Sequence, residues 1–72
     1  MKVSIIIEQD ENGYYAYAPE LPGCHSQGLT FEEADSNIRE AIALYLETLE
    51  PADRIGYTSK NIYTSTYEFV GA

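Results

Sequence analysis

The sequence has one cysteine, one histidine, no tryptophan and only four basic residues among 72. A single cysteine excludes an intramolecular disulfide and suggests a reducing compartment, and Cys24 with His25 supplies too few ligands for a zinc site. The scarcity of basic residues argues against direct nucleic-acid binding. No apolar run approaches a membrane span, and the first residues lack a signal-peptide pattern. We therefore expect a cytoplasmic protein with no cofactor.

Acidic residues are abundant, and they are unevenly distributed. Residues 1–50 contain ten acidic and two basic side chains, which account for the whole net charge of −8, whereas residues 51–72 are neutral. Such a domain attracts a basic partner, although acidity also keeps a small domain soluble. A chain this short buries only about 60% of its unfolded surface. We therefore expect one domain, stabilised by assembly into a dimer or tetramer.

Alternating apolar residues predict strands in the first third of the chain. Val3, Ile5 and Ile7 share one face of a first strand, and an acidic turn with Asn12-Gly13 leads into a second. Prolines in the segment PELPG end the second strand, because proline cannot donate to a sheet ladder. The sequence therefore predicts three antiparallel strands, over residues 2–8, 14–18 and 24–28.

An amphipathic helix is predicted over residues 31–49. Thr30 and Glu33 form a capping-box pattern at its start, and Pro51 follows its end. One apolar stripe comprises Phe31, Ala34, Ile38, Ala41, Ile42, Tyr45 and Leu49. A loop and a fourth strand over residues 62–70 complete a β-β-β-α-β order. The predicted class is α+β, a three-stranded antiparallel sheet with one helix packed on it and a C-terminal strand.

Two features of the sheet region are candidate partner-binding surfaces. We predict that Tyr15 and Tyr17 face the helix and Tyr14 the outer side, where Tyr14 is an interface anchor; aromatic residues equally suit a half-buried strand. The segment PELPG either presents Glu20 and Leu21 on a rigid exposed loop or only sets the shape of a corner.

The helix offers a third candidate surface. Glu33, Glu40 and Glu47 recur every seven residues opposite the apolar stripe, with Leu44 beside them. This row either receives a basic protein or is a solvated helix face. No carboxylate is predicted in the middle of a strand, and Cys24 and His25 point to opposite faces. The sequence therefore predicts no catalytic residues, no metal site and no enzyme activity.

An ordered set of motifs spans residues 1–49: the apolar first strand, an acidic turn, Gly-Tyr, an aromatic strand, P-x-L-P-G-C, then Q-G-x-T-x-x-E-A and an amphipathic helix. In this order the motifs resemble the HicB family of bacterial antitoxins. The resemblance covers about two-thirds of the chain. It implies a partial RNase-H-like domain, taken as residues 1–72, with residues 1–50 as the core of the match and 51–72 as a loop plus C-terminal strand.

The resemblance also implies a role. HicB proteins bind and neutralise HicA, a small basic RNase toxin, and many carry a C-terminal DNA-binding domain that represses their own operon. Residues 51–72 are too few for a helix-turn-helix and have no basic stripe, so the chain resembles the short, single-domain form. The alternative function is that of an orphan oligomeric adaptor without a toxin.

Overall fold

The computed structural model describes residues 1–71. Three strands come first, β1 (Ile6–Asp10), β2 (Gly13–Tyr17) and β3 (His25–Gly28), followed by helix α1 (Phe31–Glu47) and helix α2 (Pro51–Thr58). The strands form one antiparallel sheet in the order β1-β2-β3. Helix α1 packs on one face of this sheet, mainly against β3 and β2. The predicted α+β class is therefore confirmed.

The register of the β1–β2 hairpin decides which tyrosines face the helix. A two-residue turn, Glu11-Asn12, places Ile7 opposite Ala16 and Glu8 opposite Tyr15. Ile7 and Ala16 lie in the core, so Tyr14 shares their face and packs edge-on against Phe31. The predicted orientation is wrong: Tyr14 faces the helix, whereas Tyr15 and Tyr17 lie on the opposite face of the sheet.

The segment between β2 and β3 folds back toward the core. The amide of Ala18 donates to the Cys24 carbonyl at 3.0 Å, and the Leu21 amide donates to the Ala18 carbonyl at 3.0 Å. These bonds leave Leu21 only 1% exposed and Glu20 only 3% exposed. The prediction of a loop that presents both residues to a partner is therefore wrong, because the backbone bonds close the loop onto the sheet.

Helix α1 begins with one of the two hydrogen bonds of the predicted capping box. The Thr30 hydroxyl accepts a hydrogen bond from the Glu33 amide at 3.1 Å, which satisfies one unpaired amide of the first turn. Gly28 lets this end of the helix approach β3 closely, since a Cβ there would lie 2.6 Å from the Ala34 backbone nitrogen. Behind the close contact, Ala34 and Ile38 are fully buried against the sheet.

Residues 51–71 differ from the predicted loop and strand. Helix α1 ends at Glu47, two residues before its predicted end, and Pro51 begins α2, because proline is favoured in the first turn of a helix, where no amide donor is needed. Arg54 Nε donates to the Leu46 carbonyl at 2.8 Å, and the Tyr45 and Tyr57 rings meet edge-on. Residues 62–70, here called the C-terminal tail, form no strand. The tail has the predicted alternation, but no neighbouring strand lies beside it.

Candidate protein-interaction site

The seven residues predicted to bind a partner do not form one site. Glu20 and Leu21 are buried at one end of the sheet, whereas Tyr14 lies half-buried at the other. The acidic row on α1 is exposed as predicted, comprising Glu33, Glu40, Leu44 and Glu47. Its ends are separated by about 20 Å, because a helix rises about 1.5 Å per residue. Of the predicted sheet and loop residues, only Tyr14 lies near this row, in a groove that Glu33 also lines.

Glu20 has a structural position instead. Its carboxylate accepts hydrogen bonds from the Ser4 amide at 2.9 and 3.0 Å and from the Ser4 hydroxyl at 2.9 Å. Burial alone would raise the pKa of Glu20, but these bonds and the charge of Lys60 together hold the pKa below its ordinary value. Pro19, in the segment that follows β2, has no amide with which to extend the ladder. The Glu20 carboxylate bonds to Ser4 instead, and so anchors the residues that lead into β1.

The open face of the sheet carries an aromatic stack. Tyr15 packs between Tyr17 and His25, with ring centroids 5.7 Å apart in both pairs. His25 is exposed and Cys24 points the other way into the core, so the two lie on opposite faces, as the sequence predicted. Burial raises the pKa of the Tyr17 hydroxyl, and the Glu8 charge and hydrogen bond raise it further. This face carries aromatic rings on β2 and β3, and two carboxylates, those of Glu8 and Asp10, on β1.

A groove lies where the β1–β2 turn meets the start of α1, and we call it the hairpin-end groove. Its volume is about 580 Å³. Three carboxylates line it, those of Glu8, Asp10 and Glu33, together with Tyr14 and Leu29. Leu29 is 79% exposed, and Phe31 beside it is half exposed. Carboxylates around an exposed apolar centre can bind a basic and partly apolar segment of another protein.

Leu29 is the residue of this groove that sequence reasoning missed. It comes directly before the helix-capping Thr30, a position where an apolar side chain commonly packs against the fourth residue of the helix. Here that residue is Ala34, which is fully buried beneath the sheet contact, while Leu29 remains in solvent. The sequence signal that could have identified Leu29 was an apolar residue before the helix cap with only a small residue, Ala34, to pack against.

A shallower depression surrounds Leu44. It has a volume of about 400 Å³ and is lined by Gly23, His25, Ala41, Tyr45 and Thr48, among others. The Tyr45 hydroxyl donates to the Pro22 carbonyl at 2.9 Å and closes one side. No carboxylate lines this depression, so it lacks the negative charge of the hairpin-end groove.

Two features are not found in residues 1–71, a cluster of metal ligands and a helix that could span a membrane. Nowhere in that range do three or more histidine, cysteine, aspartate or glutamate side chains gather as the ligands of a metal ion would. In the same range, none of the helices has both the length and the apolar character needed to cross a membrane.

The fold is that of an antitoxin domain. The solved N-terminal domain of the Burkholderia pseudomallei antitoxin HicB superposes with a TM-score of 0.61 and 28% sequence identity, over 94% of this chain and 74% of that one. A family model described as a HicB-like antitoxin of bacterial toxin-antitoxin systems matches residues 3–70. The chain therefore belongs to the HicB-like antitoxin family, and the resemblance seen in the sequence is confirmed.

Similar proteins occur in distant bacteria. A UPF0150 protein of Helicobacter pylori (strain J99) is 55% identical over 60 residues, which are 83% of this chain and 82% of that protein. A UPF0150 protein of Synechocystis is 41% identical over 68 residues, 93% of this chain and 81% of that protein. Membership of an antitoxin family suggests a non-catalytic protein with a toxin as its partner.

Proposed function

We propose that this chain is a cytoplasmic antitoxin that neutralises a HicA-like RNase toxin by stoichiometric binding, without catalysis of its own. The observation that carries the proposal is the hairpin-end groove, which is lined by the carboxylates of Glu8, Asp10 and Glu33 together with the exposed side chain of Leu29. Family membership supplies the kind of partner, and the groove supplies a surface that suits a basic one. Direct binding of nucleic acid is not part of the proposal, because the net charge is −8.

The charge of the domain supports a two-stage association. The excess of acidic residues in the first 50 positions attracts a basic protein over a distance of about 10 Å at ordinary ionic strength. Contact then removes water from Leu29 and Phe31, which are the exposed apolar residues beside the carboxylates. The expected result is fast association that slows as salt is added, with the apolar contact setting the dissociation rate.

The test measures binding to, and inhibition of, the HicA-type toxin encoded beside this gene. The groove variant combines Glu33→Lys with Leu29→Ser, and its matched control is Glu32→Lys, an exposed carboxylate in the same helical turn that does not line the groove. We expect a 1:1 ratio of chains at saturation. The groove variant should bind at least tenfold more weakly, about 1.4 kcal/mol, and the control should bind like the native chain.

A third variant separates the groove from the acidic row on α1. Glu40→Lys combined with Leu44→Ser alters that row and leaves the groove intact. If this variant loses toxin binding and the groove variant retains it, docking occurs along the helix and the assignment to the groove is wrong. An on-rate that does not change with salt would contradict the electrostatic part of the proposal.

The alternative function, an orphan oligomeric adaptor, is the other outcome of this experiment. It requires that no basic toxin is encoded beside the gene and that the purified chain associates only with itself. Residual nuclease activity has a separate test. RNA incubated with the pure protein and magnesium or manganese should stay intact, and its degradation would contradict the non-catalytic role.

A further inference from the structure

The C-terminal tail alternates large apolar and polar side chains, and residues 63–70 are all exposed. Tyr63, Tyr67 and Phe69 recur at odd positions, and Thr64, Thr66 and Glu68 alternate with them. This period of two is that of a half-buried strand. Yet Tyr63 and Tyr67 are both 88% exposed, and residues 62–70 have no strand partner within the described chain.

The sheet has one edge that α1 protects. The Ala18 amide points toward β3, so the backbone of Ala16 and Tyr14 also pairs with β3, because ladder bonds alternate in direction along a strand. The carbonyl of Gln27 then points outward, and Asn37 Nδ2 donates to it at 2.8 Å. The helix thus supplies a hydrogen-bond partner at the β3 edge.

The other edge, that of β1, is open. The same alternation pairs Ile6 and Glu8 with β2, so the amide and carbonyl groups of Ile7 and Gln9 point away from the sheet. Helix α1 makes few contacts with β1, and Val3, Ile5 and Ile7 are only partly buried. An unpaired row of backbone groups flanked by half-exposed apolar side chains is a template for another strand.

We propose that the tail of one copy adds as a fourth strand to the open β1 edge of a second copy, reciprocally, so that the chain assembles by strand exchange. The backbone of the tail would pair with Ile7 and Gln9. Tyr63, Tyr67 and Phe69 would then cover the apolar side chains of β1 that α1 leaves uncovered. This is the mode in which an extended segment augments a sheet edge.

A second copy, and not the same chain, supplies the added strand because the tail does not pair with β1 of its own chain. The tail follows Lys60, whose charge helps to lower the pKa of Glu20, and the Glu20 carboxylate is bonded to Ser4 just before β1. From there its side chains project into solvent instead of following β1. The tail carries one charge, that of Glu68, so its pairing with the acidic body of another copy meets little repulsion. The strand predicted from the sequence is thus placed between molecules.

The test is the solution mass of the full chain together with amide hydrogen exchange. The variant is Ser65→Pro with Thr66→Pro; the two residues are adjacent, so one of the lost amides points at β1 in either orientation of the tail. The matched control, Ser65→Ala with Thr66→Ala, keeps both amides. Neither change touches the core, which lies between Ala16 and Ile38.

We expect the native chain and the alanine control to have at least twice the 8.1 kDa chain mass, with slow exchange at Ile7 and Gln9. The proline variant should be a monomer in which exchange at both amides is fast. A native monomer overturns the proposal: slow exchange in it would mean that the tail pairs with its own β1, and fast exchange that the tail stays free. A proline variant that keeps its mass would place the assembly contact elsewhere. These readouts do not depend on toxin binding.

Discussion

Residues 1–49 and residues 50–71 differ in how much of their apolar surface is buried. In residues 1–49, a short sheet and a long helix enclose a core, and every residue that is fully buried in the described chain lies between Ala16 and Ile38. Residues 50–71 also contain large apolar side chains, but most of these side chains are exposed. The first part therefore buries a core of its own, whereas the apolar side chains of the second are mostly left in solvent.

The largest expected effect comes from comparing one isoleucine in each part. Ile38→Ala removes a fully buried side chain between α1 and the sheet, and should lower the free energy of unfolding by about 2–5 kcal/mol. Ile55→Ala on α2 removes a side chain that is 65% exposed, and should change it by less than about 0.5 kcal/mol. Urea denaturation measures both. Equal losses would mean that α2 belongs to the same core.

The next effect concerns the buried carboxylate of Glu20. Glu20→Gln should cost about 1–3 kcal/mol at neutral pH, because the amide cannot accept the Ser4 hydrogen bonds with both oxygens. The pKa of Glu20 is lowered by folding, so its contribution is fully present above the unfolded pKa and is lost as pH falls through the folded one. The stability difference between native and variant chains should therefore shrink in acid. Glu40→Gln, an exposed change, is the control; a difference that is constant with pH would refute the linkage.

A smaller effect distinguishes the two helix starts. Thr30→Ala removes the hydroxyl that accepts from the Glu33 amide, and should cost about 0.5–2 kcal/mol. At the corresponding position of α2, Glu50 makes no side-chain capping bond, so Glu50→Ala should have little effect. Chemical denaturation with helix content followed by circular dichroism tests the pair. A silent Thr30→Ala would mean that the cap does not contribute in solution.

The smallest expected effect is that of Tyr67→Ala. In dilute solution, where single chains dominate, the change should alter the free energy of unfolding by less than about 0.5 kcal/mol, because the ring is in solvent. In concentrated solution the native chain should become more stable than the variant, because binding to a second copy stabilises the folded state by mass action. Melting temperatures at several concentrations test this, and identical curves throughout would argue that the ring has no partner.

The sequence predicted the elements better than their orientation. The Thr30 cap and the α1 stripe were visible because both signals are local and lie within a few residues of one another. The faces of β2 were predicted wrongly because alternation shows that Tyr14 and Tyr15 are on opposite sides without showing which side is inward. That information lay in the two-residue turn, which pairs Ile7 with Ala16.

The candidate site was only partly predictable, for a related reason. Exposure of Glu33, Glu40 and Glu47 follows from helical periodicity, but burial of Glu20 and Leu21 follows from backbone bonds in a loop that has no period. Helix α2 was missed because Pro51 was interpreted only as the end of one helix. A proline followed by an acidic residue in the same turn, here Asp53, also fits the beginning of another helix.

Cys24 gives this small protein an internal reporter. It is the one thiol in the sequence, it is 6% exposed, and burial raises its pKa, so little reactive thiolate is available while the chain is folded. Its backbone closes the loop that holds Leu21 against the core. An alkylating reagent can therefore reach the sulfur only when that corner opens. The labelling rate of unmodified protein measures how often this corner opens, without any engineered probe.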